Sequence, residues 1–221
     1  SELAEMMIGK SLPKIPKRTS LPTNEICLEV SSLSGEKLDS KEPFKDINFI
    51  LNKGEILGIA GVEGNGQREL TESILGIYPL SQGTITVDGI NIDNMATRQR
   101  RSLGINFIPE DRQTQGLVMD NSLIENAMLG RQNKDMYKTR FKSVNFKNSR
   151  KFSNKIIDQY DVRTPNSSTL ALALSGGNQQ KFVVGRELED NPSLLVASQP
   201  TRGIDIGCLL YTSPSPRDLW I

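Results

Sequence analysis

The 221-residue chain contains no histidine, which removes imidazole as a general base or metal ligand anywhere in it. Cysteine is almost as scarce: Cys27 and Cys208 stand far apart and in no metal-ligand spacing. A disulfide framework is thereby excluded, and a reducing, cytoplasmic compartment is expected. Net charge is also nearly absent, +1 from 27 basic and 26 acidic residues, so bulk electrostatics hold neither nucleic acid nor a membrane surface. No apolar run approaches the length of a membrane span, and the opening SELAEMMIGK carries acids where a secretory signal would carry lysines. What remains is an ordinary globular composition, 36% apolar and 24% charged, in a chain long enough to bury a core.

Residues 1–24 are polar and broken by Pro13, Pro16 and Pro22; they read as a short helical tail followed by a linker. From Ile26 the texture changes. Ile26–Ser32 and Phe44–Leu51 alternate as strands do, and Ile56–Ala60 (ILGIA) is an apolar run suited to a strand buried on both faces. A helix is predicted from Gln67 to Ile77, and a hairpin from Thr84 to Ile92 around Asp88-Gly89. Residues 96–103 predict a helix, Ile105–Ile108 a strand, and Ser193–Ser198 a second short apolar strand. Between these strands, residues 110–172 are polar and helical in pattern, with Ser122 and Asn148 as helix caps, and another helix is predicted from near Ser175. Strands alternating with helices predict an α/β fold with a mostly parallel sheet and a helical insertion.

A strand, a glycine-rich turn and a helix form the physical template for holding phosphate, because backbone amides and the helix N-terminus point at the anion. The spacing G-x-x-x-x-G-K-[ST] is filled here by Gly61, Val62, Glu63, Gly64, Asn65, Gly66, Gln67 and Arg68. The glycines fit. The lysine position holds Gln67, which cannot neutralise a phosphate, and the magnesium-binding hydroxyl position holds Arg68, a guanidinium that cannot ligate a cation. Glu63 and Glu69 add negative charge beside the loop. On its own such a segment is equally a tight turn.

Residues 174–181 read LSGGNQQK. This run closely resembles the signature motif of ABC transporter ATPases, and the other family landmarks fall in order around it. SLLVASQP (193–200) stands at the Walker B position, with Ser198 and Gln199 where the family carries Asp-Glu; Glu110, in IPE, stands where the Q-loop glutamine belongs; Asp205, in GID, matches the D-loop. The wording GEILGIAGVEGNGQREL, IPEDR, LSGGNQQK, SQPTRGID resembles the C-terminal half of double-domain ATPases serving simple-sugar and nucleoside importers, and GVEGNGQ with YDVRTP leans toward the nucleoside branch. SELAEMMIGK resembles the closing helix of a preceding ABC domain.

The resemblance implies a P-loop NTPase domain of ABC type, with a mixed sheet core, over residues 25–207, a helical subdomain at 110–172, and a C-terminus that is truncated. It also implies ATP as ligand, with Mg²⁺ at a competent site formed with the other half. This half would give Ser175, Gly176, Gly177, Asn178 and Gln179 to that site. Its own loop (Gly61, Gly64, Asn65, Gly66, Gln67, Arg68, Glu69) and the Ser198–Gln199 pair would be degenerate. Implied partners are the N-terminal ABC domain of the same polypeptide, membrane permease subunits and, indirectly, a substrate-binding protein; nucleic acid is not among them. The implied location is the cytoplasmic face of the membrane. A second expectation is a non-hydrolytic scaffold that transmits closure to the permease. A third, a soluble ABC protein of repair or translation, fits poorly, since no basic patch appears. After Gly207 the resemblance stops: CLLYTSPSPRD (208–218) matches one reading frame of a transposase sequencing adapter, so residues 208–221 are expected to be adapter-derived.

Overall fold

The computed structural model describes residues 22–37, 43–62, 64–132, 134–138, 140 and 144–201. The predicted N-terminal tail helix, Glu63, Asp205 and the adapter-like tail all lie outside the described residues. The chain divides into two compact units, one built from residues 22–107 with 191–198 and the other from 108–190 with 199–201.

In the first unit, β1 (Ile26–Gly35) is flanked by β2 (Ile47–Asn52) and β3 (Leu80–Val87), and β4 (Ile90–Asn91) completes a four-stranded sheet of order β2-β1-β3-β4. All three pairings are antiparallel. Leu28 and Val30 point into the core, joined by Cys27 beside a first register shift, and a second irregularity past Ser31, with Ser32 at φ 47°, brings Leu33 into the core as well. The hairpin forms as predicted: Val87 faces Ile90, and Asp88 (φ 48°) and Gly89 (φ 75°) both adopt the left-handed backbone of a tight two-residue turn. Leu28, Val30, Ile85 and Val87 pack with Leu70, Ile74 and Leu75, and with Ile105, Leu194 and Val196. The last three belong to β5 (Ile105–Ile108) and β6 (Leu194–Ala197), which form a separate two-stranded sheet. The mostly parallel sheet that the sequence predicts is therefore not what β1 to β4 form: the four-stranded sheet is antiparallel throughout. The β3–β4 turn is too short for the crossover that parallel neighbours need.

Ile56–Ala60 differs from expectation more sharply. It forms no strand, and Ile56, Leu57 and Ile59 are 53%, 43% and 50% exposed. An apolar run supplies side chains for a buried strand but not the neighbour whose ladder satisfies its backbone; no described strand pairs with this segment.

Helix α1 (Gln67–Ile74) follows the glycine-rich loop and buries Leu70 and Ile74. Its C-terminal carbonyls are closed by the next helix, α2 (Thr97–Ser102). From α2, the buried Arg100 guanidinium donates to the carbonyls of Ser73 (2.7 Å), Ile74 (3.0 Å) and Asp93 (3.0 Å).

The second unit is helical. Asp111 caps a π-turn, Arg112–Gly116, and Ser122 with Glu125 forms the capping box of α3 (Leu123–Ala127), as Ser122 predicts. For α4 (Phe146–Gln159) the cap is Asn145 rather than Asn148: the Asn145 side chain accepts from the Asn148 amide at 3.2 Å. The last helix, α5 (Gly176–Leu188), begins where predicted. It crosses close to the end of α4 at Gly185, where an added Cβ would lie 2.7–2.8 Å from Tyr160 and Ile156.

Candidate functional site

Two glycines shape the phosphate-type loop. Gly64 (φ 84°) and Gly66 (φ 92°) occupy left-handed backbone, and a Cβ on Gly66 would strike the Pro43 carbonyl. Gly66 then stands at the N-cap of α1. Gln67, half-buried, lies with its amide against Gly61, in the space a Cβ there would need. Arg68 turns outward, its Nε donating to Glu72 Oε1 one helical turn on at 2.7 Å. Glu69 is in the first turn of α1, and its carbonyl accepts from the Ser73 hydroxyl at 2.8 Å. The Asn65 amide donates back to Val62 O at 3.2 Å.

The signature segment is built differently. Leu174 is buried, Ser175 exposed, and Gly176, Gly177 and Asn178 half-buried; from Gln179 to Leu188 every residue of α5 is buried. Ser175 stands at the N-cap, but its hydroxyl does not cap the helix amides. Instead Ser175 Oγ accepts from Asn178 Nδ2 at 2.9 Å, while Asn178 Oδ1 receives the Arg163 amide at 2.8 Å. A hydroxyl that accepts in this way keeps its own proton for another partner. The first intrahelical bond is Gln179 N to Ser175 O at 2.9 Å, so the amides of Gly176, Gly177 and Asn178 have no acceptor within the helix. A Cβ on Gly177 would meet open space, whereas one on Gly176 would meet the Arg112 guanidinium.

Gln179, expected among the residues offered to nucleotide, is turned inward and 2% exposed. Its Nε2 donates to the carbonyls of Ala171 (3.1 Å) and Leu174 (3.2 Å), and its Oε1 accepts from Gln113 (3.1 Å) and Arg112 (3.4 Å). Helical spacing carries the signal for this, since Gln179 shares a face with Phe182, Val183 and Arg186 at i+3, i+4 and i+7. Arg112, Gln113 and Gln180 escape a motif-based reading altogether. The Gln180 amide donates to the Pro200 carbonyl at 2.7 Å. Glu110 Oε1 accepts from Gln199 Nε2 at 3.1 Å, and Gln199 adopts a left-handed φ of 47°. Asp111, between Glu110 and Arg112, is held below the ordinary carboxyl pKa by hydrogen bonds from Thr114 and the Gln113 amide. Ser198 directly follows β6.

Further along α5 the buried polar groups are paired. Lys181 reaches the Asp161 carbonyl (2.9 Å) and carboxylate (3.2 Å). Fully buried Glu187 bridges Arg131 (3.1 Å) and Arg186 (2.8 Å), and Arg131 also meets Asp190 at 3.3 Å.

A glycine-turned loop opening a helix beside an antiparallel sheet, with a helical unit carrying a second glycine-rich helix start, defines the ABC-type P-loop NTPase fold. The chain superimposes on a dimeric ATP-binding cassette in a post-hydrolysis state bound to ADP and Pi with a TM-score of 0.67, at 20% identity over 82% of this chain and 77% of that one. A nucleotide-free ATP-binding cassette superimposes with a TM-score of 0.66, at 20% identity over 83% and 72%. Residues 44–202 match the family described as ABC transporter, and the chain belongs to that family. It is 42% identical to the guanosine import ATP-binding protein NupO of Bacillus subtilis, over 95% of this chain and 41% of that protein. It is 36% identical to the nucleoside import ATP-binding protein NupA of Lactococcus lactis, over 95% and 41%. Against the glucose import ATP-binding protein TsgD13 of Haloferax volcanii it is 37% identical, over 95% and 38%. The chain thus spans about two-fifths of the length of these relatives.

Proposed function

We propose that this chain is the C-terminal ABC half of an importer's ATP-binding subunit, energising uptake of nucleosides or simple sugars. In this reading it gives its signature segment to an ATP site whose phosphate loop belongs to the N-terminal ABC domain of the same polypeptide. The observation that carries the reading is the state of the α5 N-terminus. Ser175 keeps a hydroxyl proton, and Gly176, Gly177 and Asn178 keep amides with no helical acceptor, all at the positive end of a 13-residue helix. Such a turn is chemically suited to the γ-phosphate of a nucleotide held elsewhere.

The chain's own loop is suited to much less. Magnesium does not fit it: Arg68 occupies the ligand position and is paired with Glu72, while the Walker B position offers Ser198 and Gln199 in place of carboxylates. Nor is there a lysine for the phosphates, and Gln67 lies over Gly61. That last contact favours the second reading for the local site, a non-hydrolytic element that transmits closure to the permease. The nucleoside branch is supported by the 42% identity to the relative named for guanosine import, against 37% to the one named for glucose import. The partners are then permease subunits and, through them, a substrate-binding protein, with the chain at the cytoplasmic membrane face.

Steady-state ATP turnover of the full-length protein with its permease tests the division of labour. Ser175→Ala and Gly177→Asp should each lower turnover on the order of 10²-fold, since one preorganised donor at developing charge contributes about 2.7–4 kcal/mol. Open space beside Gly177 means that an aspartate there meets the phosphate rather than the fold. Gln67→Lys should change turnover little. Silent signature variants combined with a severalfold gain from Gln67→Lys would reverse the assignment.

A further inference from the structure

In an ordinary cassette an amide stands at the Q-loop position and a carboxylate ends the Walker B strand; here Glu110 and Gln199 stand the other way round, and their side chains are hydrogen-bonded at 3.1 Å. Two further links close a ring around that bond. Next to Glu110, Arg112 and Gln113 donate to Gln179 on α5; next to Gln199, the Pro200 carbonyl accepts from Gln180 on the same helix. Three stretches distant in sequence, 110–113, 179–180 and 199–200, are thereby tied into one ring, whose donors are side-chain amides and a guanidinium and which needs no metal ion to close. The ring reaches the phosphate-facing turn directly: the Arg112 guanidinium lies against Gly176, and Gln179 fastens the Leu174 carbonyl.

We propose that Glu110 and Gln199 are a reversed acid–amide pair that positions the Ser175–Gly177 turn without help from magnesium or nucleotide at this half's own site. They are positioning residues, acting through Gln179 and Gln180 on a turn that touches ATP held by another domain; the inference rests on the composite-site reading given above. One carboxylate is enough for the pair, and two are too many. Restoring the glutamate at 199 alone would face it with Glu110 across a hydrogen-bond distance, where like charges repel and neither side can donate.

The experiment is a swap in the full-length protein assembled with its permease, read as kcat and KM for MgATP. Gln199→Glu should lower kcat at least tenfold while KM stays within twofold, because the nucleotide is held by the other half. Adding Glu110→Gln to Gln199→Glu should bring kcat back to within threefold of the parent, since the bond re-forms with donor and acceptor exchanged. Recovery by a second substitution excludes misfolding as the cause of the first loss. If Gln199→Glu leaves kcat unchanged or raises it, or if the double variant is no better than the single, the proposal is overturned. A loss on Ser175→Ala with no loss on Gln199→Glu refutes the pair alone; silence of both refutes the composite site as well.

Discussion

Residues 56–68 and 171–189 are both glycine-bearing turns that run into helices, but they are anchored in opposite ways. Around the first, the apolar run Ile56–Ala60 faces solvent, Arg68 is engaged by its own helix, and Gly64 meets open space although Gly66 packs against Pro43. Around the second, α5 is buried on all sides past its first turn, and each inward polar side chain of the Gln179–Glu187 stretch has a named partner. Only the exposed end, Ser175 to Asn178, is left with donors to offer. A helix that is buried all round must satisfy its polar groups internally, which fixes its N-terminus in space. The loop of the first region lacks that enclosure. The contrast matches a half that presents its signature and does little with its own phosphate loop.

The comparison predicts that substitutions around α5 cost far more than those around the loop. Glu187→Ala should have the largest effect. It removes the carboxylate that Arg131 and Arg186 share and leaves Arg131 with Asp190, and breaking such a buried cluster costs about 3–5 kcal/mol. Chemical denaturation followed by circular dichroism reads it; a loss under about 1 kcal/mol would mean that water reaches the cluster and α5 is less enclosed than described. Gly185→Ala comes next. Alanine favours helix by about 1 kcal/mol over glycine, but its methyl would press on Tyr160 and Ile156, and overpacking of this kind costs about 1–3 kcal/mol. A net destabilisation near 1 kcal/mol is expected by the same measurement. A stabilised variant would show that α4 can retreat, and that the α4–α5 crossing does not fix the signature turn.

Local chemistry was legible in the sequence wherever it depended on neighbours. Asp88-Gly89 specifies its turn by backbone freedom alone, and Ser122 meets Glu125 three residues on, as a capping box requires. The cap of α4 was misread because Asn145 and Asn148 lie three apart and either could close the helix; geometry decides for Asn145. Strand status at Ile56–Ala60 depends on a neighbour that no local pattern can guarantee. The inward turn of Gln179 was hidden by the motif, which directs attention to phosphate, although its spacing from Phe182 and Val183 places it on the packed face. Arg131 and Glu187, 56 residues apart, carry no sequence sign of their pairing. The Glu110–Gln199 exchange was visible as two separate departures from the family pattern, but that they touch is a matter of the fold.

The smallest predicted effect lies at the loop. Arg68 is the position where a magnesium-binding hydroxyl would stand, so a guanidinium there has two possible tasks: to meet a phosphate, or to cover the helix. The geometry assigns the second, with Nε 2.7 Å from Glu72 Oε1 in an i,i+4 pair whose arginine is 69% exposed. Exposed helix pairs of this kind contribute about 0.3–0.5 kcal/mol, and salt screens them. Arg68→Ala should therefore shift stability by no more than about 0.5 kcal/mol, and raising the salt concentration should remove most of the difference. The same variant should leave binding of a fluorescent ATP analogue unchanged, because the guanidinium Nε is engaged by Glu72 one helical turn on. A severalfold loss of analogue binding, without loss of stability, would mean that Arg68 leaves Glu72 for a phosphate when one is present. The loop would then be a working anion site with arginine in place of lysine, and the difference drawn between the two glycine-bearing turns would narrow to one of hydrolysis alone.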